Sequence, residues 1–302
     1  MAASPKRKAS SRTTTPRANK TNDVIPSDDL TLIRSVAVTD AAGEPMLRLP
    51  DDARSLGNYI APLALIRSAL FAVVKKGKRR MLQNEALAAH PGTVIKFNGE
   101  QLDQSDEDVF LELVESSAER DFGTKVEFSL SGILNKLEWD RSGRSAERLK
   151  SSFTRLLQGT VELSSKNYSY RGHLVDAIRI DRAKDKTGSD AYWFRLNPEL
   201  LLLFQEHDYV RIAIADRKKL SRMLSKWLHS YLESRSEHVV STTVAEIMTL
   251  SGSASETDKS ARSSVLRAVT ELKDAGVIED FRFERSMVFI TKLRRTQKAL
   301  NR

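Results

Sequence analysis

The chain has 302 residues, 40% of them apolar, with 49 Lys and Arg against 40 Asp and Glu and a formal net charge of +9 at pH 7. That is room for about two domains with ordinary cores, which excludes a fibrous or wholly disordered chain, and the lack of any cysteine excludes disulfides, thiolate catalysis and zinc sites built on Cys. Residues 1–15 hold no apolar stretch of signal-peptide type and the longest apolar run, residues 59–66, is far short of a bilayer span, so the expectation is a soluble intracellular protein with no membrane partner.

The charge is concentrated at the two ends. Residues 1–22 and 285–302 together hold twelve of the 49 bases and no acid, leaving 37 bases against 40 acids in residues 23–284, a net of −3. The tails supply diffuse affinity for polyanions, while any nucleic-acid surface in the body has to come from local clustering. Residues 1–28 are rich in Ser, Thr, Pro, Lys and Arg and cannot repay their ordering entropy by burial. They open a disordered basic arm assigned to residues 1–56. Residues 57–88 read as a helical segment ending in the basic connector Lys75-Lys76-Gly77-Lys78-Arg79-Arg80.

From residue 89 the pattern is mixed, and residues 89–209 form a first domain. Residues 93–97 suit a strand. Ser105 ahead of Asp106, Glu107 and Asp108 suits an N-cap with acids at the positive end of a helix running to about residue 119, so the acid cluster reads as a helix start and not a metal site. Residues 124–130 alternate as a strand, and Ile133, Leu134 and Leu137 mark a short helix ending near Trp139. After the turn Asp140-Arg141-Ser142-Gly143 a longer helix carries Ala146, Leu149, Phe153 and Leu156 on one face, with Gly159 as its stop. Two helices across a glycine-containing turn predict a helix-turn-helix.

On the other side of that second helix Arg148, Ser151, Ser152 and Arg155 fall at i, i+3, i+4 and i+7, with Arg144 at its start. Guanidinium groups read guanine or hold phosphate and small hydroxyls allow close approach, a combination suited to a major groove. The runs 161–166 and 174–181, joined through residues 167–172, predict a hairpin wing whose Lys166, Tyr168, Tyr170 and Arg171 touch DNA backbone or minor groove. Tyr168 and Tyr170 of the same wing are candidates for stacking on single-stranded bases after opening.

The same grammar recurs over residues 210–295, ahead of a basic tail at 296–302. An amphipathic helix carries Leu220, Met223, Leu224, Trp227, Leu228, Tyr231 and Leu232. A short strand at Val239-Val240, a short helix over 243–250 and the turn Ser251-Gly252-Ser253-Ala254-Ser255 follow it. The next helix, about 257–274, buries Ala261, Val265, Ala268, Val269 and Leu272 and presents Lys259, Arg262, Ser263 and Arg267, and a hairpin at 277–283 and 287–293 closes the unit. The predicted fold class is therefore α+β and helix-rich, with tandem winged-helix domains.

Catalytic alternatives lack their residues. The five histidines, His90, His173, His207, His229 and His238, form no His-x-His or His-Glu-x-x-His pattern, which disfavours a metal-dependent nickase. The stretch 252–260 ends in Lys259-Ser260 but has Thr257 where a phosphate loop needs glycine. No enzyme, metal or cofactor is expected.

Taken in order, Arg67-Ser68-Ala69-Leu70-Phe71, Trp139 with Gly143-Arg144, Leu201-Leu202-Leu203-Phe204, His207-Asp208-Tyr209, Met248-x-Leu250-Ser251-Gly252-Ser253 and Glu271-Leu272-x-x-x-Gly276-Val277 resemble the TrfA-type plasmid replication initiators over residues 66–293. The resemblance implies a non-enzymatic bacterial protein associated with its plasmid. It would bind double-stranded direct repeats (iterons) at the origin, help open an adjacent A·T-rich segment, recruit the host helicase and initiator proteins, and interconvert between dimer and DNA-binding monomer. It places DNA reading on Arg144, Arg148, Ser151, Ser152 and Arg155 and on Lys259, Arg262, Ser263 and Arg267. No Gln-Leu-x-Leu-Phe peptide precedes Arg67, so the resemblance does not extend to sliding-clamp docking through that peptide. The competing expectation is a winged-helix repressor with no role in melting an origin, told apart by an inverted repeat over a promoter in place of direct repeats beside an A·T-rich tract.

Overall fold

The computed structural model describes residues 57–294, apart from 76, 119, 121–122, 167, 185–189 and 255–256, together with 38–39, 45–46 and 49. Most of the expected N-terminal arm and the tail at 296–302 lie outside the described residues. A two-residue ladder joins β1 (Val38–Thr39) to β2 (Pro45–Met46). The structure is mixed α/β, built from several small antiparallel sheets and from helices that carry the two main cores. None of the described helices is long and apolar enough to cross a membrane.

Residues 57–88, expected to be mainly helical, carry two strands and a single helical turn. β3 (Asn58–Pro62) pairs with β11 (Tyr209–Ala213), setting Tyr59 opposite Ile212 and Ala61 opposite Val210. These four side chains, with Ile66 and Leu111, form a small core of their own. The helix of this segment is a single turn, α1 (Leu63–Ile66). The basic run then feeds β4 (Met81–Leu87), which pairs with β5 (Val94–Glu100). The run is anchored: Arg79 reaches Asp103 and Asp106, and Arg80 reaches Glu85.

α2 (Gln104–Ser117) starts at Asp103 and not at Ser105. The Asp103 carboxylate accepts from the Ser105 and Asp106 N–H groups while Asp106 Oδ2 accepts from Asp103 N–H, a reciprocal cap that satisfies N–H groups the helix itself cannot. The helix is buried on nearly every side, because both halves of the molecule pack on it. Beyond it come β6 (Val126–Phe128), α3 (Leu130–Lys136) and α4 (Gly143–Gln158), the last capped by Ser142 Oγ, which accepts from Ser145 N–H at 3.2 Å. α4 ends on extended backbone at Gly159, φ −73°. A left-handed stop is not what requires glycine there: a Cβ would lie 2.5 Å from the Phe97 ring.

The hairpin expected from 161–166 and 174–181 does not form. β7 (Thr160–Ser164) pairs with β8 (Ser169–His173) and completes the sheet β4-β5-β7-β8, whereas β9 (Val175–Lys184) pairs with β10 (Asp190–Leu196) in the sheet β6-β10-β9. The crossing comes at Leu174-Val175, where two successive buried side chains break the in-out alternation that Leu163 and Tyr170 keep. A 3-10 segment (Pro198–His207) covers the base of this half with Leu200, Leu203 and Phe204.

The second half follows the expected order closely. α5 (Ile214–Lys218) and α6 (Met223–Glu233) lead to β12 (Val239–Thr243), α7 (Val244–Leu250), α8 (Asp258–Asp274), β13 (Ile278–Glu284) and β14 (Met287–Lys292). Its sheet runs β12-β14-β13, matching β6-β10-β9 strand for strand. The order helix, short strand, short helix, long helix and hairpin therefore occurs twice, with β7 and β8 inserted in the first copy. Buried residues between Leu220 and Ile290 form the core of the second copy, while β11 belongs to the small core with β3.

Candidate nucleic-acid interface

α8 is held firmly enough to present a fixed face. Ser260 N–H donates to Thr257 Oγ1 at 3.2 Å and Thr257 N–H donates back to Ser260 Oγ at 3.4 Å, closing its N-terminus. Ala261, Val265, Ala268, Val269 and Leu272 are buried, each large apolar side chain contributing roughly 1.5–3 kcal/mol, and that burial fixes the rotation of the helix about its axis. Lys259, Arg262, Ser263, Leu266, Arg267 and Thr270 are thereby turned outward, at i, i+3, i+4, i+7, i+8 and i+11, all exposed except the half-buried Ser263.

The arginines of this face are pre-positioned. The Arg262 guanidinium lies 4.6 Å from the centre of the Phe283 ring on β13 and donates to the carbonyl of Arg285 at the hairpin tip, so one side chain ties the helix to the hairpin. Arg285 itself takes a left-handed φ of 54°, which makes the two-residue turn into β14. Arg267 donates to Ser263 Oγ at 3.0 Å and to Ser264 Oγ at 3.2 Å. Each guanidinium has five N–H donors and retains some for an incoming partner.

A further flank was not read from the sequence. The turn between α5 and α6 brings exposed Lys219 and Arg222 to a groove beside Leu266, Arg267 and Thr270. It is fastened by Glu271, which accepts from Ser221 N–H, Ser221 Oγ and Arg222 N–H. Burial pushes the Glu271 carboxyl up, but these hydrogen bonds outweigh it and hold the group below its usual range. The sequence signal was the run Arg217-Lys218-Lys219-x-x-Arg222, hidden because it lies at a helix boundary and not on a helix face.

In the first copy the predicted stripe divides. Arg144, Arg148 and Ser151 are exposed on α4, beside Arg141, Lys150 and Thr154. Arg148 lies against the Trp139 ring, 3.9 Å from guanidinium carbon to ring centre, and donates to Ser105 Oγ. Ser152 and Arg155 are 0% and 8% exposed and face α2: Ser152 Oγ donates to Asp106 Oδ1 at 2.6 Å, and Arg155 donates to the same carboxylate at 2.8 and 3.1 Å. They are removed from the predicted DNA face for a physical reason: a buried carboxylate needs cationic and hydroxyl partners, and these are its partners. Lys166 and Arg171 are exposed on the inserted β7–β8 hairpin, away from the β9–β10 hairpin. Tyr170 is buried and donates to the His173 carbonyl at 2.7 Å. Tyr168 is half-buried, its hydroxyl pushed by that burial up to about 12.

α2 links the two copies through charge. From one side Asp103 and Asp106 meet Arg79 and Arg155. From the other, Arg217 of α5 is buried between Glu107 at 3.2 Å and Asp108 at 2.6 Å, and Lys226 of α6 reaches Asp108 at 2.5 Å. Ser230 Oγ donates to Glu107 at 3.0 Å. Burial raises the Asp108 carboxyl, yet Arg217 and Lys226 prevail and hold it below its usual range. Further ties run from residues 67–73 to the second copy: Trp227 Nε1 donates to the Ser68 carbonyl at 3.3 Å, and Val73 N–H donates to the Ser251 carbonyl at 2.8 Å. Gly252, at φ +61°, sits where a Cβ would come within 2.9 Å of Ala72 Cβ.

The family model described as TrfA protein matches residues 46–292. Crystal structures of domains 2 and 3 of RctB are similar in fold: one has a TM-score of 0.54 at 15% identity, covering 77% of this chain and 98% of that one, and another a TM-score of 0.50 at 14% identity, covering 74% and 95%. A Pi initiator protein in complex with iteron DNA aligns at a TM-score of 0.42 and 10% identity over 57% of this chain and 83% of that one. No curated protein matches the sequence.

Proposed function

The chain belongs to the TrfA protein family of DNA-binding replication initiators, and from that premise we propose that it reads directly repeated sites at a plasmid origin with two winged-helix units. α4 and α8 are the recognition helices, and the β9–β10 and β13–β14 hairpins are the wings. The observation that carries this reading is the α8 face, where Lys259, Arg262 and Arg267 stand between the wing tip at Arg285 and the flank at Lys219 and Arg222. Six cations around one helix supply phosphate attraction on both sides of a groove, and the helix centre supplies base contacts.

In this reading α8 contributes Lys259, Arg262, Ser263 and Arg267, and α4 contributes Arg144, Ser151 and Arg148, the last braced on Trp139. Lys166 and Arg171, on the inserted hairpin, are assigned to backbone contact outside the two wings. The protein acts without catalysis. It binds as a monomer in exchange with a dimer in the bacterial cytoplasm, melts neighbouring A·T-rich DNA and hands it to host helicase and initiator proteins.

Permanganate footprinting on a supercoiled plasmid carrying the DNA beside this gene, with protection mapped on the same template, tests the proposal. Protected direct repeats with reactive thymines next to them are expected. Protection of one inverted repeat over a promoter, with no reactive thymine even after host extract is added, would replace the initiator by a repressor.

A further inference from the structure

Leu266 stands at the centre of the α8 face, 44% exposed. Arg262 and Ser263 precede it by one turn and Thr270 follows it by one. A single exposed leucine is ordinary on a protein surface, so its setting has to carry the argument. Of the five large apolar side chains left exposed among the described residues, Met81, Val94 and Val239 lie on strands and Leu293 just past one, and Leu266 alone lies on a helix. It is also the one purely apolar member of a face otherwise made of Lys, Arg, Ser and Thr.

The two long helices can be compared rung by rung. Leu149, Phe153 and Leu156 of α4 and Val265, Val269 and Leu272 of α8 keep the same i, i+4, i+7 spacing in their cores. The residue after the first of these is Lys150 in α4 and Leu266 in α8. Four residues further on both helices carry threonine, and each hydroxyl donates to the carbonyl of that rung: Thr154 to Lys150 at 3.1 Å and Thr270 to Leu266 at 2.8 Å. Thr270 therefore spends its hydrogen on the helix and offers its partner a methyl group.

An isobutyl group gains nothing from a phosphate, which a lysine at that rung would hold. At base edges in the major groove the apolar group is the C5-methyl of thymine. We propose that Leu266, together with the Thr270 methyl, selects a thymine methyl in the half of each repeat read by the second unit. This rests on the DNA-reading proposed above and adds to it the base that this rung requires.

The probe is a duplex of one protected repeat, made with thymine or with uracil throughout, since uracil keeps every hydrogen-bonding group of thymine and lacks only the methyl. The full-length protein is expected to bind the uracil duplex more weakly by about fourfold for each methyl it desolvates. Leu266→Ala is expected to bind the thymine duplex more weakly and to lose most of the discrimination, and Leu266→Lys, which installs the residue of the first unit, to discriminate no better. Equal binding of both duplexes by the unmodified protein, or an undiminished uracil penalty in Leu266→Ala, would overturn the inference while leaving the DNA-reading intact. Failure to prefer either duplex over unrelated DNA would instead overturn the DNA-reading itself.

Discussion

Arg262 and Arg155 are chemically identical and both fall in the stripes that the sequence predicts to face DNA, yet their surroundings give them opposite tasks. Arg262 is exposed and tied to the hairpin by Phe283 and the Arg285 carbonyl, whereas Arg155 is buried on Asp106. Arg262→Ala should weaken repeat binding by about 1–3 kcal/mol, the worth of a bidentate base contact, with the urea midpoint nearly unchanged. Arg155→Ala should instead lower stability by about 3 kcal/mol, because a buried carboxylate loses its cation. The reverse pattern in binding isotherms and urea titrations would exchange their roles. His229 tests burial. Its ring is fully buried, and that burial, outweighing nearby Glu233, lowers its pKa from 6.5. Below pH 6.5 the unfolded chain then takes up a proton that the folded chain refuses, so stability falls as pH drops through that point toward the depressed folded value. The drop in urea midpoint between pH 7.5 and pH 5.5 should be smaller in His229→Gln than in the unmodified protein, and parallel curves would show that the ring does not titrate this way.

Among the elements, α2 concentrates the energetic tension of the fold. Breaking a buried ion pair by removing one partner costs about 3–5 kcal/mol, chiefly because the remaining charge stays desolvated. Arg217→Met is accordingly expected to lower stability by that amount, and adding Glu107→Gln and Asp108→Asn to recover part of it, measured as urea midpoints at one pH. No recovery would mean that Arg217 acts through packing and not through charge. Asp108, held below 3.8, lends stability that is complete above that pH and is lost as pH falls below it. The acids of α2 were legible in the sequence as a helix start, since capping is decided within four residues. Their burial was not, because Asp108 meets Arg217 across 109 residues and Lys226 across 118. The segment at 57–88 was misread for the same reason: the apolar run at 59–66 has no period to separate helix from strand, and the strand partner of Tyr59 is Ile212. By contrast α7, α8 and the β13–β14 hairpin could be read almost residue by residue, because their caps, turn and core positions are all local.

At the scale of the whole molecule, the DNA-reading proposal makes affinity a collective property of two basic helices, two hairpins and charged tails. With roughly 6–10 phosphates neutralised, binding to a repeat should fall about 10³- to 10⁵-fold between 50 and 200 mM salt, and a shallow dependence would argue against two units engaging together. The α2 network and the ties from residues 67–73 add a geometric demand that salt dependence does not test. They hold α4 and α8 in one relative setting, whereas units on a loose tether would each follow their own stretch of groove. DNA turns about once in 10–10.5 base pairs, roughly 34 Å. Inserting five base pairs between the halves of a repeat therefore carries one half to the opposite side of the duplex, beyond reach of a helix whose direction is already fixed. The expected outcome is that affinity falls to that of a single half-site, read by titrating labelled duplexes with the full-length protein. Unchanged affinity for the spaced repeat would mean that the buried charges of α2 separate when DNA is bound, and that the two units are coupled only through the strand linking them.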